Sequence, residues 1–96
     1  MSSRFVLVVD SASQDEQDKI SIYLQTEKSV GYWHWFRDLW LITDPTGKWS
    51  VSSIRDKVRE ILPNKHTIVF QVESGTNWAG FGINERFKWL LDYWNK

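Results

Sequence analysis

The chain has no cysteine among its 96 residues. That absence removes disulfides, thiolate metal sites, thiol nucleophiles and redox switching together, and it fits a reducing compartment. It also has no excess of either charge: twelve Lys and Arg balance twelve Asp and Glu. A zero net charge argues against a uniformly basic nucleic-acid binder and against a polybasic membrane-surface protein, although local patches remain open. Long apolar runs are missing as well. The longest, Phe5 to Val9, is far short of the roughly 18 residues that a membrane span needs, and no apolar stretch follows a basic start as in a secretory leader. The expectation is a cytoplasmic protein without a membrane partner. No internal repeat, low-complexity tract or linker divides the chain, so one domain over residues 1–96 is expected.

What the chain does have is tryptophan. Seven Trp stand beside five Phe and three Tyr, while the apolar share of 42% and the charged share of 25% are ordinary. An explanation of this sequence has to place those rings.

Arg4 to Asp10 is a β-branched and apolar run, which predicts a central strand buried on both faces. Ser13-Gln14-Asp15-Glu16 has the form of a capping box, with two acidic residues where they favour a helix N-terminus. Ile20, Tyr23 and Leu24 continue it as an apolar stripe up to about Lys28. Val30 to Thr43 is too rich in aromatic and β-branched residues for a surface helix and is broken at Arg37-Asp38, which predicts a hairpin. Both parities of its strands are apolar, so both faces of the sheet need cover. Asp44-Pro45-Thr46-Gly47-Lys48 is a turn, and Ser50 caps a second helix carrying Val51, Ile54, Val58, Ile61 and Leu62 up to Pro63. His66 to Glu73 alternates as a strand near an edge, with Ile68, Phe70 and Val72 on one side. A loop from Ser74 to Gly82 leads to a last helix, capped by Gly82 or Asn84. Ile83, Phe87, Leu90, Leu91 and Trp94 line one of its faces, with Glu85, Trp89 and Tyr93 on another.

The order β-α-β-β-α-β-α predicts an α+β, ferredoxin-like domain with a four-stranded antiparallel sheet over about residues 4–73 and an additional C-terminal loop and helix over about 74–96. Three segments carry a resemblance: the strand Phe5 to Asp10; Trp33-His34-Trp35 with Leu39 to Thr43; and Ile54 to Lys57 leading to Thr67 to Val72. Together they look like the small bacterial proteins labelled the SinR-like family, relatives of the smaller CRISPR adaptation protein and of virulence-associated protein D. The likeness covers roughly residues 4–91. It implies a ferredoxin-like fold, a homodimer, and association with nucleic acid, defence or toxin–antitoxin processes. In the CRISPR relatives an acidic residue ends the first strand as the proposed metal ligand, paired with its symmetry mate for nuclease activity, and Asp10 matches it here. Other relatives are scaffolds for a partner protein and DNA. This chain departs from the group in placing a Trp-rich helix where a strand used in dimer exchange is typical.

Each chemical candidate has a plainer alternative. Two Asp10 carboxylates across a two-fold axis can hold Mg²⁺ and activate water against a phosphodiester, making an RNA or DNA endonuclease. Otherwise Asp10, with Ser11 and Ser13, simply turns the chain into the helix. His34, between Trp33 and Trp35, is a general base or a phosphate contact, or else a partly buried hydrogen-bonding residue. Arg55 and Arg59, one helical turn apart, are contacts for single-stranded nucleic acid or parts of a salt-bridged face with Asp56 and Glu60. Gly80-Phe81-Gly82 lacks the ending of a P-loop and reads as a turn. No nucleophile motif selects a serine. The leading expectation is a non-enzymatic, homodimeric interaction protein without a cofactor, with Trp33, Trp35, Trp40, Trp89 and Tyr93 as the interaction residues. The alternatives are an Asp10-dependent endonuclease using Mg²⁺ and a single-strand binder.

Overall fold

The computed structural model of the chain describes residues 3–73, 78–80, 82 and 87–94. Its elements run β1 (Ser3–Val9), α1 (Gln14–Thr26), β2 (Gly31–Phe36), β3 (Leu39–Asp44), α2 (Val51–Ile61) and β4 (Thr67–Val72), followed by a π-helical turn at Leu90–Trp94. The strands form one antiparallel sheet in the order β2-β3-β1-β4. The chain is therefore α+β with a four-stranded antiparallel sheet, an architecture compatible with the ferredoxin-like expectation. Among the described residues, no helix is long and apolar enough to cross a membrane.

Local signals account for the helices. Ser13 Oγ accepts the N–H of Glu16 and the Glu16 carboxylate accepts the N–H of Ser13, so the capping box anticipated in the sequence opens α1. The bonded Ser13 N–H holds the Glu16 carboxyl below its usual range. Ser50 and Ser53 make the same reciprocal pair at the start of α2, which stops with Leu62 as its C-cap, just before Pro63. Between β3 and α2, the buried Asp44 carboxylate accepts N–H groups of Thr46 and Trp49, at 2.9 and 2.7 Å, and the Thr46 hydroxyl. Burial pushes its pKa up, but these hydrogen bonds outweigh burial and hold the carboxyl below the ordinary aspartate value.

The two faces of the sheet have different cover. Phe5, Leu7, Val9, Trp40 and Ile42 point to the helices and pack with Ile20 and Leu24 of α1 and Ile54 and Val58 of α2, all fully buried. Tyr23 stacks on Trp49 beside this core at 5.8 Å, and burial, with the Glu27 carboxylate, raises its pKa to about 12. On the second face, Leu41 packs with Leu90 and Trp94, flanked by Val6, Trp33, Trp35, Leu39, Val72, Trp78, Phe87 and Trp89. The C-terminal segment thus covers a face that α1 and α2 leave open.

That segment departs from the expected amphipathic helix. Residues 87–89 lead into the π-helical turn, in which Leu90 and Trp94 are buried while Leu91 is 59% exposed. The wider π turn rotates Leu91 off the stripe that an α-helical period assigns to it. Trp89, expected on another face, instead stacks on Trp33 at 6.5 Å. The expected loop residues 74–77, Phe81, and the expected helix start at Ile83, Asn84 and Glu85 lie outside the described residues.

Candidate functional site

The second sheet face carries an open apolar groove of about 350 Å³. Its floor is Val6 of β1, Leu39 and Leu41 of β3, and Val72 of β4; Trp35, Trp78 and Trp94 stand among its walls. Their placement follows from strand register. Trp33 is opposite Leu41, and Leu41 opposite Val6, so this alternate set of apolar side chains faces away from the helices. A bulge between His34 and Phe36 interrupts the alternation at the end of β2, where Trp35 also turns to this face. Phe87 links the aromatic walls, with Trp35 at 5.1 Å and Trp78 at 5.8 Å between ring centroids. Arg4 fastens the C-terminal segment: its buried guanidinium donates from Nε to the Trp94 carbonyl at 2.6 Å. Trp33 Nε1 is buried and meets no hydrogen-bond partner among the described residues.

The groove opens beside further exposed apolar side chains. Ile68 and Phe70 are 50% and 53% exposed on the same face, and Phe36 stands at the groove's other end. This concentration separates a contact surface from singly scattered hydrophobic residues.

The proposed interaction residues divide between this face and the core. Trp33, Trp35 and Trp89 belong to the second face, half-buried, and Tyr93 is exposed beside Trp89 at 5.8 Å. Trp40 has no exposed surface; it packs against the helices and donates from its indole to Ser21 Oγ at 3.2 Å. Its place is the core, because Trp40 lies opposite Leu7, whose side chain faces α1 and α2. Trp78, which the sequence does not single out, lines the groove instead; an isolated Trp within the expected loop carries no periodic signal.

Among the described residues, Asp10 and His34 make separate hydrogen-bond contacts. Asp10 follows β1 as an exposed turn residue and accepts a hydrogen bond from Ser11 Oγ at 3.1 Å. The nearby Asp38 carboxylate is committed to the backbone N–H groups of Ser11 and Ala12, at 3.3 and 2.9 Å. The Ala12 bond is the main cause that holds the Asp38 carboxyl low. Asp38 therefore braces a turn in which Ser11 adopts a left-handed φ of 53°. Among the described residues no three His, Asp or Glu side chains gather as a metal-holding group. His34 lies flat on Trp40, ring centroids 4.2 Å apart, with Nε2 3.1 Å from the Arg37 carbonyl.

Arg55 borders a smaller groove of about 180 Å³ with Val51, Ser52 and residues of β4, and pairs with Asp56 at 2.9 Å. Arg59 is exposed farther along α2. The acidic neighbour interrupts a continuous basic strip of the kind single-strand binding uses.

With this geometry in view, no protein-family model, curated protein or solved structure matches the chain.

Proposed function

We propose that this chain is a non-enzymatic, homodimeric interaction protein of ferredoxin-like topology, whose second sheet face receives a protein partner. The observation that carries the reading is the open groove walled by Trp35, Trp78 and Trp94 and continued by exposed Phe36, with Ile68 and Phe70 on the same face. Large rigid rings around an unfilled apolar cleft provide burial at low conformational cost and are the usual anchors of protein interfaces. The resemblance to the SinR-like group extends the reading to a scaffold acting near nucleic acid, defence or toxin–antitoxin processes. Its rival is a Mg²⁺-dependent endonuclease built on Asp10.

Two measurements on the intact chain decide between them. Sedimentation equilibrium is expected to give a dimer; a monomer at high micromolar concentration overturns the homodimeric part. RNA and DNA incubated with Mg²⁺ or Mn²⁺ are expected to remain equally intact with the native chain and Asp10→Ala. Cleavage by the native chain that disappears in Asp10→Ala overturns the non-enzymatic reading.

A further inference from the structure

β4 is an edge strand, and among the described residues no strand pairs with its outer side. One hydrogen bond fixes the direction of its backbone groups. The Asp10 N–H donates to the His66 carbonyl at 3.0 Å, extending the register that pairs Val9 with Thr67 and Arg4 with Val72. Antiparallel pairing alternates, so Ile68 and Phe70 turn their N–H and C=O toward β1, while Thr67, Val69 and Gln71 turn theirs outward. The side chains of Ile68 and Phe70 stand on the second face, each about half exposed.

Sheet edges are ordinarily blunted by a charge, a proline or a bulge. The opposite edge strand, β2, has such a bulge between His34 and Phe36. β4 has none of these devices: Thr-Ile-Val-Phe-Gln-Val is uncharged, lacks proline and keeps an unbroken register with β1. It is a strand prepared for pairing.

We propose that β4 pairs antiparallel with β4 of a second copy of this chain, about a two-fold axis through Val69, joining the two sheets into one. The proposal rests on the homodimer reading and supplies its geometry. Val69 then pairs with its own copy and Thr67 with the partner's Gln71, which brings every outward N–H and C=O of these residues into roughly six backbone hydrogen bonds. Ile68 faces the partner's Phe70 in a non-hydrogen-bonded pair, where side chains approach most closely, and the symmetry repeats the contact. Glu73 comes opposite the partner's Lys65. That ammonium already contacts the Ser11 carbonyl at 3.1 Å and Glu16 at 3.4 Å, and a third N–H is left for the incoming carboxylate. A shift by two residues in either direction loses the Glu73 to Lys65 match and sets Ile68 or Phe70 against itself. The self-complementary pattern selects a second copy over an unrelated strand. Strand spacing and rise also place the two Asp10 residues about 25 Å apart, so this dimer cannot form a shared Asp10 metal site.

The missing cysteines make the test direct. In Val69→Cys the two Cα atoms are expected about 5.5 Å apart, within disulfide range, whereas in Gln71→Cys the copies lie about 14 Å apart. Mild oxidation is expected to give at least tenfold more covalent dimer for Val69→Cys than for Gln71→Cys. Equal yields overturn the register. In sedimentation, Phe70→Lys is expected to weaken self-association at least tenfold. If that variant misfolds, Gln71→Pro serves instead, because it removes an N–H that points away from β1. A native dimer that gives no Val69→Cys disulfide, or that persists unchanged in these variants, overturns the edge geometry and leaves the homodimer reading standing. A native monomer overturns both.

Discussion

Asp44 carries the heaviest polar duty of any buried side chain described, gathering Thr46 and the Trp49 N–H to turn β3 into α2. Asp44→Ala leaves those donors without their acceptor and is expected to lower the unfolding free energy by about 2–4 kcal/mol in urea titrations. The pH dependence has a definite sign. The carboxyl's pKa is lower folded than unfolded, so its contribution is complete above the ordinary aspartate range, near pH 4, and is lost as pH falls through the folded value. The urea midpoint of the native chain should therefore fall in acid more steeply than that of Asp44→Ala. A turn was legible in Asp44-Pro45-Thr46-Gly47, but the buried hub was not, since its partners become evident only when the backbone closes around it. The bracing role of Asp38 is hidden in the sequence for the same reason: its hydrogen bonds reach 26 and 27 residues back along the chain.

At the scale of elements, α1 and α2 were readable from their caps and their 3.6-residue apolar spacing, because both signals act within a few residues. Ser50→Ala, which removes the acceptor for the Ser53 N–H, is expected to destabilise the chain by about 1 kcal/mol in thermal melts, with no change in the fold. The hairpin was legible from its β-branched and aromatic runs around Arg37-Asp38, and the alternation of Ile68, Phe70 and Val72 reappears in the register of β4. The C-terminal turn was harder. A π turn departs from the α-helical period, which places Leu91 inward; Leu91 is instead exposed, while Trp89 packs on Trp33.

Across the whole molecule, two apolar clusters share one sheet. The cluster under α1 and α2 is closed, whereas the cluster beneath the C-terminal segment surrounds an open groove. Trp94 fastens the second, with its ring in the cluster and its carbonyl on Arg4. Trp94→Ala is expected to accelerate hydrogen exchange in residues 87–94 and increase binding of an apolar dye. Amides of α1 and α2 should remain protected, because their packing lies on the other face. Loss of protection in both helices at once would show that the two faces unfold as one unit.

By itself the sequence determined the succession β1, α1, β2, β3, α2, β4, the starts of α1 and α2 and the faces on which Ile20, Leu24, Ile54 and Val58 meet the sheet. Those features arise from caps and periodicities that operate locally. The tertiary structure alone decided the destinations of the tryptophans: Trp40 sealed in the core, Trp33 against Trp89, and Trp35, Trp78 and Trp94 around the groove. A tryptophan fits either face of a two-sided sheet. The choice depends on which distant segments cover each face, and no short window of sequence contains that information.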